Sequence, residues 1–219
     1  MPESPEPRAE GAHVDAKGAA ESLMILDHGA SLARDRLQPD DRQILVAWGL
    51  SWLIGFLTLW LTADEDGGST VWGFVVFSVL LFAAAVFTAV HLGRRTAGIR
   101  GPSAVSGAIY GGTWIISFLA VFVINIRLSF TDLDSSVTAP VSFGLPVFVV
   151  GILYMAGAAI YRSIPQFVLG AWIVVALLLS LFAEMPTSYA VMGLAGGGAM
   201  LVTALVVHLL RGRASLGAS

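Results

Sequence analysis

The sequence predicts an all-α protein, a polytopic membrane bundle of six transmembrane helices arranged as tandem two-helix hairpins. Three observations predict it. The 219 residues are 56% hydrophobic and 12% charged, with a mean hydropathy of +0.80, outside the range of soluble domains. Apolar residues fall in runs of about 18 to 23, the length that ~30 Å of hydrocarbon requires at 1.5 Å per residue. One stretch occurs twice, as W-G-L-S-W-L-I-G-F from Trp48 to Phe56 and Y-G-G-T-W-I-I-S-F from Tyr110 to Phe118. The copies share Gly, Trp, Ile and Phe, and each sets aromatics four residues apart, which on a helix draws one slanted stripe.

In chain order, residues 1–18 carry Pro2, Pro5 and Pro7 among Glu, Ala and Gly, too little apolar surface to offset the entropy of ordering, and are expected to form a disordered cytoplasmic tail. No signal peptide is visible, so the first span is expected to direct insertion itself. Residues 19–43 form an expected amphipathic helix at the cytoplasmic interface, with Leu23, Leu26, Ala30, Ala33 and Leu37 on one face and Pro39 ending it. It either lies on the membrane surface and bundle or docks a partner.

The membrane domain, 44–211, holds expected spans at 44–62, 71–92, 104–126, 141–161, 167–183 and 188–210, and residues 212–219 form a second short tail. Gly67, Gly68, Pro102, Pro140, Pro165 and Pro186 punctuate the breaks. Pro146 alone falls inside a span, where it predicts a kink. With the N-terminus in the cytoplasm, inner segments hold every basic residue except Arg127, which is 11 of the 12, while Asp64, Glu65, Asp66, Asp132, Asp134 and Glu184 lie outside. The bias of Lys and Arg toward inner loops therefore puts both termini inside. Arg94, Arg95, Arg100, Arg211 and Arg213 then form a basic inner face suited to anionic lipid headgroups.

A second echo, V-H-L-x-R, ends the second span at His91 and the sixth at His208, and Trp52, Trp114 and Trp172 recur near the starts of the odd spans. The spacing predicts two related copies and a third that has diverged, with Val168 and Ala176 in place of the aromatics around Trp172. Small residues spaced four apart, Gly107 with Gly111, Gly193 with Gly197, and Ser51 with Gly55, mark faces on which helices can approach closely. Three consecutive glycines, Gly196 to Gly198, lower helix propensity by ~1 kcal/mol each and mark a flexible or close-approach point.

Residue types exclude most chemistry. Without a basic patch there is no footprint for nucleic acid. Cysteine is absent, ionisable groups are missing from mid-span, and no H-E-x-x-H, G-x-S-x-G or phosphate-binding loop occurs, so no catalytic, cofactor or metal site is expected and the protein is not read as an enzyme. His91 and His208 are interfacial anchors or a pH-sensing pair. Trp48, Trp52, Phe56, Tyr110, Trp114 and Phe118 either pack against neighbours or line an aromatic cavity for an apolar or cationic ligand. Asn125, Arg127 and Glu184 are candidates for a polar outer vestibule, or are ordinary wetted loop residues.

The amphipathic lead, the Trp-Gly-rich first span and six helices in hairpin pairs resemble uncharacterised bacterial six-helix membrane proteins of the kind labelled transporter or permease subunit. The hairpin triplication is also similar in outline to the HdeD-like acid-resistance membrane proteins. The resemblance implies a bacterial plasma-membrane location and transfers no functional residue. Two functional expectations follow. One is a small-solute transporter or permease-like subunit, with energy from a separate ATPase; internal repeats and broken helices motivate it. The other is a scaffold or sensor that holds a cytosolic regulatory partner through residues 19–43 and the Arg94, Arg95, Arg100 loop. Substrate and oligomeric state stay open.

Overall fold

A computed structural model describes residues 41–64, 68–96 and 102–216, together with Gly18, Glu21 and Met24, which are helical and exposed. The chain divides into two units, Met1–Asp40 and Asp41–Ser219. Most of the expected amphipathic helix of residues 19–43, and the whole tail before Gly18, lie outside the described residues.

The elements of the second unit, among the described residues, are helices: α1 Asp41–Leu61, α2 Val71–Thr96, α3 Pro102–Ser129, α4 Ser135–Tyr161, α5 Ile164–Ser180, α6 Thr187–Val191, a π-helical turn Met192–Gly197, and α7 Gly198–Leu216. A single β-bridge, Ala63 to Ser69, closes the α1–α2 loop. Five segments are long and apolar enough to cross a membrane, the fifth being the continuous stretch Thr187–Leu209 through α6, the π-turn and α7. The remaining apolar helix, α5, has 17 residues, or ~25 Å.

Boundaries differ from the sequence expectation where proline was read as a terminator. Proline fits a helix's first turn, because the N–H it lacks has no partner there. Accordingly α3 begins on Pro102, and α5 begins before Pro165, with the Ser163 hydroxyl capping the Gln166 N–H. Helix α4 starts at Ser135 and carries both Pro140 and Pro146 inside it. Arg162, at φ 52°, turns the chain between α4 and α5 in the left-handed region.

The core is built from α1, α4, α5 and the last span. Leu45, Trp52, Phe56 and Leu59 of α1 meet Phe143, Val147 and Val150 of α4, Leu169, Ile173 and Leu177 of α5, and Tyr189, Met192, Met200 and Ala204. Phe77 and Leu81 of α2, and Trp114 and Phe118 of α3, pack on its edges. Otherwise α2 and α3 present apolar side chains outward, Phe74, Phe82, Ile109, Ile116 and Phe122 among them. A surface of this kind is stable against hydrocarbon and costly in water.

Candidate functional site: the seam between the first and last spans

The two aromatic stripes have different fates. In α1, Trp52 and Phe56 are 3% and 1% exposed, and Phe56 lies at the centre of a ring cluster. Its ring centroid is 4.8 Å from Phe77, 5.7 Å from Trp52, 6.3 Å from Phe143 and 6.5 Å from Tyr189. Trp48 donates its indole N–H to Thr88 Oγ1 on α2 at 3.0 Å. In α3, Tyr110, Trp114 and Phe118 pack instead on α4, with Trp114 against Tyr154 and Tyr110 against Tyr161. The Tyr110 hydroxyl donates to the Leu153 carbonyl at 2.7 Å. Six candidate aromatics thus pack in two groups, that of α1 against α2, α4 and α6 and that of α3 against α4, and each leading aromatic bonds to the helix that follows.

Where α1 meets the last span, backbone approaches backbone. A Cβ on Gly197 would lie 2.7 Å from Leu53 N and 2.9 Å from Gly49 O. One on Gly193 would meet Phe56 Cβ at 3.1 Å, and one on Gly196 would reach the Trp52 ring at 3.1 Å. Glycine is the residue that permits this approach. At the same place the helix widens to π geometry, and the Gly198 N–H reaches back to the carbonyls of Gly193 and Leu194 as well as Ala195. A π-turn has one residue too many for the α ladder, and such turns concentrate at functional positions. The glycine triplet lowers its cost, because glycine has the least helical structure to lose.

Two indoles hold the turn. Trp52 covers Gly196 from the α1 side, and Trp172 of α5 donates its Nε1 N–H to the Ala195 carbonyl at 3.0 Å. The Ala195 carbonyl also accepts from the Gly198 N–H, so the indole is a second donor where the ladder is distorted, and that added hydrogen bond stabilises the turn. Sequence reading singled out Trp52 and the glycine triplet but gave Trp172 only the place of a diverged repeat. It missed Tyr189 altogether, a buried ring 5.4 Å from Phe143.

Other candidates are scattered. Asn125 donates its side-chain amide to Val121 O on its own helix, while Arg127 and Glu184 are exposed at helix ends. No hydrogen bond or ion pair joins these three among the described residues. Arg94 and Arg95 are exposed in the last turn of α2, Arg211 and Arg213 lie in α7, and Arg100 is outside the described residues. Among the described residues nothing lies within 4 Å of a Cβ added at Gly107 or Gly111, so this small-residue face meets no described helix, whereas Gly193 and Gly197 are pressed against α1.

Polar side chains buried in the bundle are Ser51, Ser180 and Ser188, and all three are spent on backbone carbonyls. Ser188 serves two, Ser180 O at 2.9 Å and Ala183 O at 2.6 Å, where the chain turns from α5 into α6. Among the described residues no three His, Cys, Asp or Glu side chains gather. The seam therefore sets a π-turn between aromatic walls, with no such cluster among the described residues. Comparison with protein families, with curated proteins and with solved structures finds no match.

Proposed function

We propose that the chain is a multi-pass plasma-membrane protein of transport type, a small-solute carrier or the permease-like subunit of a complex driven by a separate ATPase. The observation that carries this reading is the π-turn Met192–Gly197, an interrupted helix set against an aromatic wall inside the bundle. Transporters move solute by rearranging helices that are broken near the middle of the membrane. In this reading α5 also crosses, which brings the spans to six, since 17 residues meet the lower limit for a crossing. Both termini are cytoplasmic, because Arg94, Arg95, Arg162 and the arginines of α7 then share the inner side. The repeated aromatic stripes are remnants of a duplicated hairpin.

A retained small molecule, or a co-purifying ATPase, is the expected result when the intact protein is isolated in nanodiscs and its companions are identified by mass spectrometry. An empty bundle recovered with a signalling protein would overturn the transport reading. That outcome belongs to the second reading, a scaffold or sensor, favoured by the filled apolar core whose buried polar side chains are three serines. A scaffold needs no pathway. On the scaffold reading, removing residues 1–38 abolishes partner recovery; full recovery would refute docking through the N-terminal helix.

A further inference from the structure

The first and last spans are out of step by one residue. Phe56 meets Gly193, Leu53 meets Gly197, and Gly49 meets Leu201. Over these contacts α1 covers seven residues, from Gly49 to Phe56, while the last span covers eight, from Gly193 to Leu201. Two α-helices in contact advance equally, because both rise 1.5 Å per residue. The π-turn Met192–Gly197 overlaps that stretch and holds the extra residue.

The exit of the turn sits between ladders. The Gly198 N–H reaches the carbonyls of Ala195, Leu194 and Gly193, which are its 3₁₀, α and π partners three, four and five residues back. Among the described residues nothing lies within 4 Å of a Cβ added at Gly198, so no close contact calls for glycine there. What glycine supplies at this position is backbone freedom. From outside the helix, the Trp172 Nε1 N–H bonds to the Ala195 carbonyl and favours the turn as it stands.

We propose that the π-turn is a register switch: it closes into an α ladder, and α7 then turns about its own axis against α1. The turn is about 100° and the advance ~1.5 Å, one residue of α-helix. Each residue beyond the turn moves into the place of its successor. Gly196 replaces Gly197 against Leu53, and Met200 replaces Leu201 against Gly49. Gly193 to Met200 then faces Gly49 to Phe56, seven residues against seven. The adjacent glycines, Gly196 and Gly197, thus supply a glycine at the close approach in both registers.

The core sets the balance between the two forms. Met200 is buried in it, and in the α register its place goes to the smaller Ala199. The space left behind favours the π register, which the Trp172 bond also holds. Helix register shifts of this kind occur in microseconds to milliseconds. The switch is a property of this span alone and does not rest on the transport reading, which the isolation of bound companions tests separately.

The absence of cysteine from the sequence allows clean labelling. Ile152→Cys on α4 and Val202→Cys on α7, both exposed, carry spin labels on the full-length chain in nanodiscs. A side chain ~5 Å from the axis of α7 is carried up to ~8 Å by the rotation. Ile152→Cys paired with Phe182→Cys, ahead of the turn, reports the part that stays still. Gly197→Ala crowds the π register against the backbone of α1. Gly196→Ala crowds only the side chains of Met192 and Trp52 in that register, but its methyl faces the Leu53 backbone in the α register and blocks it. The expected result is a shifted 152–202 distance in Gly197→Ala, and the same shift in Trp172→Phe, where nothing is overpacked. Gly196→Ala, and deletion of Gly198 to remove the extra residue, both keep the distance of the parent, and the 152–182 distance is constant throughout. No shift in either Gly197→Ala or Trp172→Phe would overturn the proposal. So would a shift in Gly196→Ala or in the deletion, or an equal shift of the 152–182 distance.

Discussion

Two adjacent glycines should respond to the same substitution with opposite sign. A methyl group at Gly197 would meet Leu53 N at 2.7 Å, Gly49 O at 2.9 Å and Leu53 Cα at 3.1 Å, all backbone atoms that no rotamer change can move. Ordinary contact begins at 3.4 Å, so α1 must retreat by about 0.7 Å along the seam. Overpacking of this kind costs ~1–3 kcal/mol, and the helix propensity of alanine returns ~1 kcal/mol, for a net loss of up to ~2 kcal/mol. At Gly198 nothing lies within 4 Å, and only the propensity gain of up to ~1 kcal/mol remains. Thermal unfolding in detergent should therefore place Gly197→Ala below the parent and Gly198→Ala level with it or above. The gap is up to ~12 °C for a bundle of this size, at about 2–4 °C per kcal/mol. If the two variants unfold together, or Gly197→Ala is the more stable, the close approach of α1 to the π-turn is wrong.

Trp172→Phe keeps the ring but removes the donor to Ala195 O, and should cost ~1 kcal/mol while raising amide exchange across residues 192–198; unchanged exchange would remove the strap role. Ser188→Ala leaves the Ser180 and Ala183 carbonyls short of a donor and should cost ~1–2 kcal/mol in thermal unfolding. Ser180→Ala should cost less, because its hydroxyl serves only Leu177 O one turn back in its own helix. An equal loss in both variants would contradict that ordering.

Long apolar runs made the helices legible, since a run of about 20 apolar residues fits a membrane-crossing helix and is about twice the length of a barrel strand. Their ends were less so. Pro102 and Pro165 were read as breaks, yet each sits in a first turn, where proline is a helix former. Spacing also identified two smooth faces without saying what meets them: Gly193 and Gly197 take α1, whereas Gly107 and Gly111 meet no described helix. The glycine triplet pointed to the π-turn because weak propensity is a local property. Trp172 did not, because its partner is a carbonyl 23 residues away, supplied by the way α5 packs on the last span. Arg42 Nη1 contacts His208 Nδ1, 166 residues away, so each half was visible in the sequence and the pairing was not.

The reading as a six-span bundle depends most on α5, the one apolar helix of only 17 residues. Leu133→Cys, Ile164→Cys and Phe182→Cys place single exposed thiols in the α3–α4 loop, at the start of α5 and just beyond its end. Reaction of each with a membrane-impermeant maleimide, on intact cells and after permeabilisation, reports the side on which it lies. The account predicts that positions 133 and 182 react in intact cells and position 164 only once the membrane is opened. Labelling of 164 and 182 from the same side would mean that α5 does not cross, and would contradict both the six-span bundle and the shared side of the two termini.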